Sequence, residues 1–234
     1  MAKGAAKGRG RAKAAKAEEP TTAPRLPAGR HGLPREFIAQ NQRERIITAL
    51  VDTVAERGYG ATTVANITKA AGVSRRTFYE HFADKEACFL AAYEMVADHI
   101  RDSMQVAAKV FDEWPQQVRA ALATMLRFLA DEPELARIVM IEPVAAGGEI
   151  AARHRESMQG FVAILKAGRP AHGGERPLPE ATEATLVGGI VSLIVREING
   201  GRTEKLEELL PDLIELILAP YLGAEEAAKL ARPS

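Results

Sequence analysis

The chain of 234 residues is predicted to be all-α, with an N-terminal three-helix, homeodomain-like helix-turn-helix unit followed by a C-terminal helical bundle. Three observations predict this. Apolar residues recur at helical spacing along most of the chain with no strand alternation. A glycine turn joins two short amphipathic segments across Thr62 to Ala87. Prolines and glycines punctuate the remainder where helices start and stop. An apolar content of 47% is ample for a buried core.

Residues 1–34 differ in kind, with eight Lys and Arg against two Glu, many Gly, Ala and Pro, and only Leu26 and Leu33 as large aliphatics after the first residue. Such a segment cannot build a core and is expected to be disordered when free. It is basic, but no apolar stretch follows it as a secretory signal requires. A basic arm entering a DNA-binding unit can lie along phosphates or reach into the minor groove, and Arg25, Arg30 and Arg35 are assigned that role. The bland alternative is a solubilising tail.

Helix one, about Glu36 to Arg57, repeats Ile46, Ile47, Leu50, Val51 and Val54 at helical spacing and stops at Gly58. Helix two opens after Thr63, a hydroxyl N-cap, and buries Val64, Ile67 and Ala71. Gly72 can take the left-handed conformation that ends it, and Ser74 caps helix three two residues later. So short a connection forces a steep crossing.

Helix three, about Arg75 to Phe82, turns Val73, Phe78 and Phe82 inward and leaves Arg75, Arg76, Thr77, Tyr79, Glu80 and His81 outside. An arginine fork matches guanine O6 and N7, with about 1–3 kcal/mol of discrimination per bidentate pair. Hydroxyls (Thr63, Ser74, Thr77), imidazole and lysine suit phosphate oxygens. Glu80 either reads cytosine N4 or holds Arg76. Tyr79 and His81 either meet DNA or pack partly on helix one. Asp84 is the expected N-cap of helix four, and Lys85 in its first turn runs against the helix dipole unless an anion lies beside it.

Glu44 to Tyr93, with the stretch GYGATTVANITKAAGVSRRTFYEHFADKEACFLAAY at its heart, resembles the DNA-binding domain of the TetR family of bacterial transcription regulators. The resemblance joins Ala55-Glu56-Arg57-Gly58-Tyr59, Thr62-Thr63-Val64, Ala71-Gly72-Val73-Ser74, Phe78-Tyr79-x-His81-Phe82 and Asp84-Lys85-Glu86 in one order and spacing. It implies nine or so helices, a homodimer, and a diverse C-terminal domain that binds an effector and controls operator affinity. It places Thr63, Tyr79, His81 and Lys85 where the family touches the DNA backbone, and Arg75, Arg76 and Thr77 where base contacts vary. It also implies that helix four links the two domains, so that moving its far end changes the separation of the two recognition helices.

Beyond Asp84 that helix carries Phe89, Leu90, Tyr93, Val96, Ala97, Ile100 and Met104 on its apolar face. Pro115 opens a helix burying Val118, Leu122, Met125, Leu126 and Leu129, Pro133 opens another through Ile141, and Pro143 breaks the pattern again. A helix from about Glu149 to Ala167 presents Ile150, His154, Met158, Phe161, Val162 and Leu165. Gly168 to Pro179 reads as a loop. Ala181 to Asn199 and Leu206 to Leu222 are apolar on more than one face, with Gly188-Gly189 inside the first and Pro211 starting or kinking the second. These two helices are the expected dimer surface, through Leu186, Gly189, Ile190, Leu193, Leu213 and Ile217. The expected organisation is an arm over 1–34, the helix-turn-helix unit over 35–83, the ligand-binding and dimerisation domain over 84–223, and a tail over 224–234.

An effector pocket is expected among the helices from about Tyr93 to Leu165. Its candidate lining is His99, Met104, Phe111, Trp114, Met125, Phe128, Met140, His154, Met158 and Phe161, an inventory suited to an apolar or aromatic molecule and equally to plain core.

Charge is uneven, with 15 Lys and Arg against 7 Asp and Glu up to Phe82, leaving 16 against 24 beyond it. A basic front and an acidic back suit a protein whose one end meets nucleic acid. The single Cys88 excludes an internal disulfide and fits a reducing cytoplasm. The longest uncharged run, Ala184 to Val195, is well short of the roughly 20 residues that cross a bilayer. No nucleophile elbow, phosphate-cradling glycine loop or metal-spaced His/Cys cluster is found, so neither catalysis, a metal nor a cofactor is expected. The expected activity is sequence-specific transcription regulation, as a ligand-released repressor dimer on a palindromic operator. The alternative is a nonspecific architectural DNA-binding protein using the basic arm.

Overall fold

The computed structural model describes residues 34–168 and 177–232. They form eleven α-helices and one 3₁₀ segment, and no strand is present among them. The all-α expectation is met.

Helix α1 (Arg35–Ala61) is broken at Gly58, whose φ of 77° and ψ of 159° lie outside the helical region. The chain then makes one further turn before Thr62, whose N–H bonds back to the Tyr59 carbonyl. Helix α2 (Val64–Ala71) starts with a full capping box: the Thr63 hydroxyl accepts from the Asn66 N–H while the Asn66 side chain accepts from the Thr63 N–H. Gly72 ends it at φ 63° and ψ 37°. Helix α3 (Arg75–His81) is capped by Ser74, and α4 (Lys85–Ala108) by Asp84, which accepts from the Ala87 N–H at 2.8 Å. Replacing Gly72 by valine places a β-branched residue in the left-handed region at the turn between α2 and α3, an expected cost of about 1–2 kcal/mol. Thermal unfolding checks it, and an unchanged midpoint would refute the role of the turn.

The first three helices close around Ile46, Leu50, Val54, Ile67 and Phe78, all fully buried. Phe89 on α4 is equally buried and meets the Tyr59 ring edge-on at 5.0 Å, so α4 belongs to this core at its start and to the larger bundle thereafter.

The bundle continues with α5 (Trp114–Asp131), α6 (Pro133–Met140), α7 (Glu142–Ala146) and α8 (Gly148–Ala167). Proline sits in the opening turn of α5, α6 and α7, where its missing N–H costs nothing. From residue 177 onward come α9 (Thr182–Asn199), the 3₁₀ segment (Thr203–Leu209), α10 (Leu210–Leu222) and α11 (Ala224–Ala231). Pro211 opens α10 and does not kink it.

Two expectations are corrected here. The segment from residue 224, read as a tail, forms α11 and packs along α10, with Ala227 and Ala231 fully buried. Arg232 closes the contact by pairing with Glu215 and Asp212 at 2.6 Å each, and Arg119 holds the Ala231 carbonyl at 2.9 Å. Its apolar signal was easy to miss because alanine supplies it. The second correction concerns Leu213 and Ile217, which are 0% and 3% exposed inside the protomer. Helix α10 is apolar on several sides because α5, α9 and α11 surround it. A two-fold mate cannot reach those two side chains. Leu186, Ile190 and Leu193 are half-buried on α9, and Gly189 is exposed with nothing within 4 Å of a Cβ built there. No helix among the described residues is long and apolar enough to cross a membrane.

Candidate nucleic-acid interface and ligand cavity

The N-cap of α3 fixes the direction in which its outer face points. The Ser74 hydroxyl accepts from the Thr77 N–H at 3.0 Å and lies 2.9 Å from the Thr77 hydroxyl, so the two oxygens share one hydrogen. Phe78 anchors the inner face at 0% exposure, and the Tyr79 ring meets it edge-on at 5.4 Å. Arg75, Arg76 and Tyr79 consequently project into solvent, Tyr79 at 57% exposure. Arg76 Nε donates to Glu80 Oε1 at 3.0 Å with 89% of its side chain exposed, so the pair orients the guanidinium and adds little stability.

The remaining predicted DNA contacts divide. Thr63 and Ser74 are exposed but spend a hydroxyl lone pair on caps. His81 is half-buried, with Nε2 3.4 Å from Gln42 Oε1 on α1, so it bridges α3 and α1. Arg35 is exposed at the start of α1, whereas Arg25 and Arg30 lie outside the described residues.

Lys85 departs most from expectation. Its Nζ donates to the carbonyls of Tyr59 at 2.8 Å and Thr62 at 2.9 Å, and sits 3.9 Å from the centre of the Tyr59 ring. A cation in the first turn of a helix is thus accounted for inside the protein, where it bonds to the Thr62 carbonyl and adds a second donor to the Tyr59 carbonyl that already accepts the Thr62 N–H. Burial holds its pKa below the ordinary lysine value. One residue the sequence did not single out is Arg45, whose guanidinium bonds to the Ala71 carbonyl and ties α1 to the end of α2.

The larger domain holds a partly open cavity of about 290 Å³ between α4, α5, α6, α8, α9 and α10, with exposed Arg101, Gln105 and Ile164 in its lining. It lies near the lower end of the roughly 300–1,000 Å³ that ligand pockets occupy. Met104, Met125, Met140, Met158 and Phe161 line it as predicted, and all but Met104 also line an adjoining chamber of about 90 Å³. The sequence reading missed Val187, Ile190, Ile194 and Ile217, because α9 and α10 had been reserved for the dimer surface. It also missed Arg101, the one charged residue in both linings, which pairs with Asp98 at 2.8 Å.

His99, Trp114, Phe128 and His154 do not line the larger cavity. His99 is exposed and packs on Phe128 at 5.3 Å between ring centres, and Trp114 packs on Tyr221 at 4.9 Å. Phe111 is 39% exposed at the turn after α4. These rings obey the same helical periodicity as the lining residues but point into other seams.

His154 is buried against the Tyr93 hydroxyl, 3.3 Å from its Nδ1. Burial, then the neighbouring Arg155, hold its pKa below the ordinary 6.5. The unfolded chain therefore takes up this proton at higher pH than the folded one. The contribution of His154 to stability is full above pH 6.5 and is lost as pH falls below it. Melting measured from pH 8 to 5 is expected to show this loss in the native protein and a flatter profile in His154→Gln. Parallel profiles would refute it.

A sequence model of the bacterial regulatory proteins, tetR family, matches residues 46–92. That stretch begins inside α1, contains all of α2 and α3, and ends in α4. Among curated proteins the chain is similar to the HTH-type transcriptional activator FasR of Mycolicibacterium smegmatis, 24% identical over 127 residues, 54% of this chain and 58% of that protein. It is also similar to the fatty acid metabolism regulator protein of Bacillus subtilis, 26% identical over 121 residues, 52% of this chain and 62% of that protein. The chain thus spans about three fifths of the length of these relatives. In fold it resembles the transcriptional regulator FadR from Bacillus subtilis, solved in complex with stearoyl-CoA, at a TM-score of 0.63 and 22% identity, covering 75% of this chain and 97% of that one.

Proposed function

Because this chain belongs to the TetR family of bacterial regulatory proteins, we propose that it is a sequence-specific transcriptional regulator, a homodimer whose affinity for a palindromic operator is set by a long-chain fatty acyl ligand. The observation that carries the DNA-binding part is α3, a helix anchored by the buried Phe78 whose outer face offers Arg75, Arg76 and Tyr79 to a groove. Arg35 and the basic segment before it add phosphate contacts, with Arg25 and Arg30 within that segment.

The ligand class rests on the cavity wall. Apart from Arg101 and Gln105 it is hydrocarbon, thioether and one aromatic ring, and such a wall rejects polar ligands because their groups would be left unpaired. Methionines adapt to a flexible chain, and Arg101 and Gln105 are polar groups that can face a carbonyl or anionic head. The Bacillus subtilis relative is named for fatty acid metabolism and the solved structure holds stearoyl-CoA, which supports the same class.

Two half-sites on a palindrome require two recognition helices, hence a dimer. Helix α9 offers the surface for it, with Gly188, Gly189 and Ser192 exposed beside half-buried Leu186, Ile190 and Leu193, and on α10 Leu216 is 55% exposed. We assign repression, released by ligand. Activation is the second reading, favoured by the name of the Mycolicibacterium smegmatis relative.

The test is selection of bound sequences from a random DNA pool at near-physiological salt, followed by titration of the complex with stearoyl-CoA. An enriched palindrome with half-sites about one helical turn apart, released by the acyl-CoA, is expected. Equal affinity for random DNA would move the protein to the architectural class, and an operator complex indifferent to stearoyl-CoA would remove the ligand class alone.

A further inference from the structure

Glu142 is a buried carboxylate, 4% exposed, at the first residue of α7. Its Oε2 accepts the backbone N–H of Tyr59 at 2.8 Å, across 83 residues of chain. Its Oε1 accepts from Arg137 Nη2 at 3.2 Å. Tyr59 stands immediately after the break at Gly58, and a Cβ built at Gly58 would lie 3.8 Å from Glu142 Oε2. The carboxylate therefore grips the main chain of the helix-turn-helix unit at its interruption, three residues before Thr62 and four before the Thr63 cap of α2.

The other side of the same turn faces the cavity. Met140, two residues before Glu142, lines both chambers, and the single residue between them, Ile141, is helical in backbone and shared by the ends of α6 and α7. A displacement of Met140 is thus carried to Glu142 with little slack. On the far side, Tyr59 is held by Lys85 through its carbonyl and ring and by Phe89 through its ring edge, so a pull on Tyr59 is felt at the start of α4 as well. Arg137 meets the carboxylate through one nitrogen only, and its Nε is buried without a partner among the described residues, so the pair is not locked as a bidentate one would be.

We propose that the Glu142 to Tyr59 contact is the latch through which the contents of the cavity set the position of the DNA-reading helices, with Glu142 as the positioning residue. This rests on the ligand-controlled reading above. An occupant that pushes Met140 outward moves the α6–α7 turn and draws Glu142 from the Tyr59 N–H. The turn of residues 59–61 is then free to shift, and α2 and α3 with it. Two discrete arrangements of one buried contact suffice for a coupling of the usual size, about 5- to 150-fold in affinity.

The experiment separates the latch from the identity of the ligand by filling the cavity from within. Ala121→Phe, on the cavity wall, is made in the full chain alone and together with Glu142→Ala or the isosteric Glu142→Gln. Hydrogen exchange of residues 58–64 and affinity for the selected operator are then measured. Filling the cavity is expected to speed exchange in 58–64 and weaken operator binding about tenfold when Glu142 is present. In Glu142→Ala the segment should already exchange faster, and filling should change neither readout, whereas Glu142→Gln, whose amide oxygen can still accept the Tyr59 N–H, should keep both responses to filling. Glu142→Gln separates the hydrogen bond from the buried charge, because it keeps an acceptor for the Tyr59 N–H and removes the charge that pairs with Arg137, and a response to filling lost in both variants would assign the effect to the charge and overturn the hydrogen-bonded latch. An equal effect of filling in all backgrounds overturns the latch and leaves ligand control standing. No effect in any background overturns both.

Discussion

Replacing Phe78 by alanine is expected to destabilise the helix-turn-helix unit by roughly 3–5 kcal/mol, the cost of removing a fully buried aromatic ring and leaving a void. The ring sits at 0% exposure between α1, α2 and α3 and touches the rings of Phe82 at 5.8 Å and Tyr79 at 5.4 Å between centres. Helix α3 has seven residues, too few to be stable by itself, so its shape depends on that anchor. Circular dichroism on heating should show an early transition or a lowered midpoint, and operator binding should vanish although no DNA-facing atom is changed. A midpoint within a degree or two of the native one would mean that the core closes over the gap or that α3 is held mainly by its caps.

Arg75→Ala and Arg76→Ala carry the second large effect, on binding and not on folding. Each is expected to lose about 1–3 kcal/mol of operator affinity if it forks onto a guanine, with relaxed preference at one base position. Stability should move by less than about 0.5 kcal/mol in either variant, since both side chains are exposed. Glu80 makes the two separable. In Arg76→Ala it loses its partner at 3.0 Å and becomes a lone carboxylate facing phosphates, so this variant should show the larger loss at low salt. A uniform weakening across all sequences would instead place that arginine on the phosphate backbone.

The local chemistry of the reading head was legible from residue order because each device in it is short-ranged. A left-handed turn needs Gly72 and an N-cap needs Thr63, Ser74 or Asp84, all within three or four positions of what they serve, and the structure adds Asn66 as the second half of a capping box with Thr63. The break in α1 was likewise read at Gly58. Proline placement located the starts of α5 and α6 for the same reason, while Pro143 read only as a break and Pro211 as a start or a kink. A smaller part of the cavity wall was legible too, in Met104, Met125, Met140, Met158 and Phe161, since each recurs at helical spacing on the inner side of its own helix.

What failed were assignments of one apolar face among several possible neighbours. Leu213 and Ile217 satisfy the pattern of an interface as well as that of a core, and only the arrival of α5, α9 and α11 around α10 decides between them. His99, Trp114 and Phe128 share the periodicity of the cavity-lining residues yet face other seams. The amino-acid sequence by itself determined the helices of the helix-turn-helix unit, their caps, the exposed arginines of α3 and the basic bias of the front third, because propensity, capping and net charge act within a turn or over composition. Tertiary structure alone decided that Lys85 turns inward onto Tyr59 and Thr62, that Glu142 holds Tyr59 from 83 residues away, and that α9 lines the cavity. Those depend on which helices meet and at what distance, and a buried charge or an apolar face carries no mark of its partner until the chain has packed.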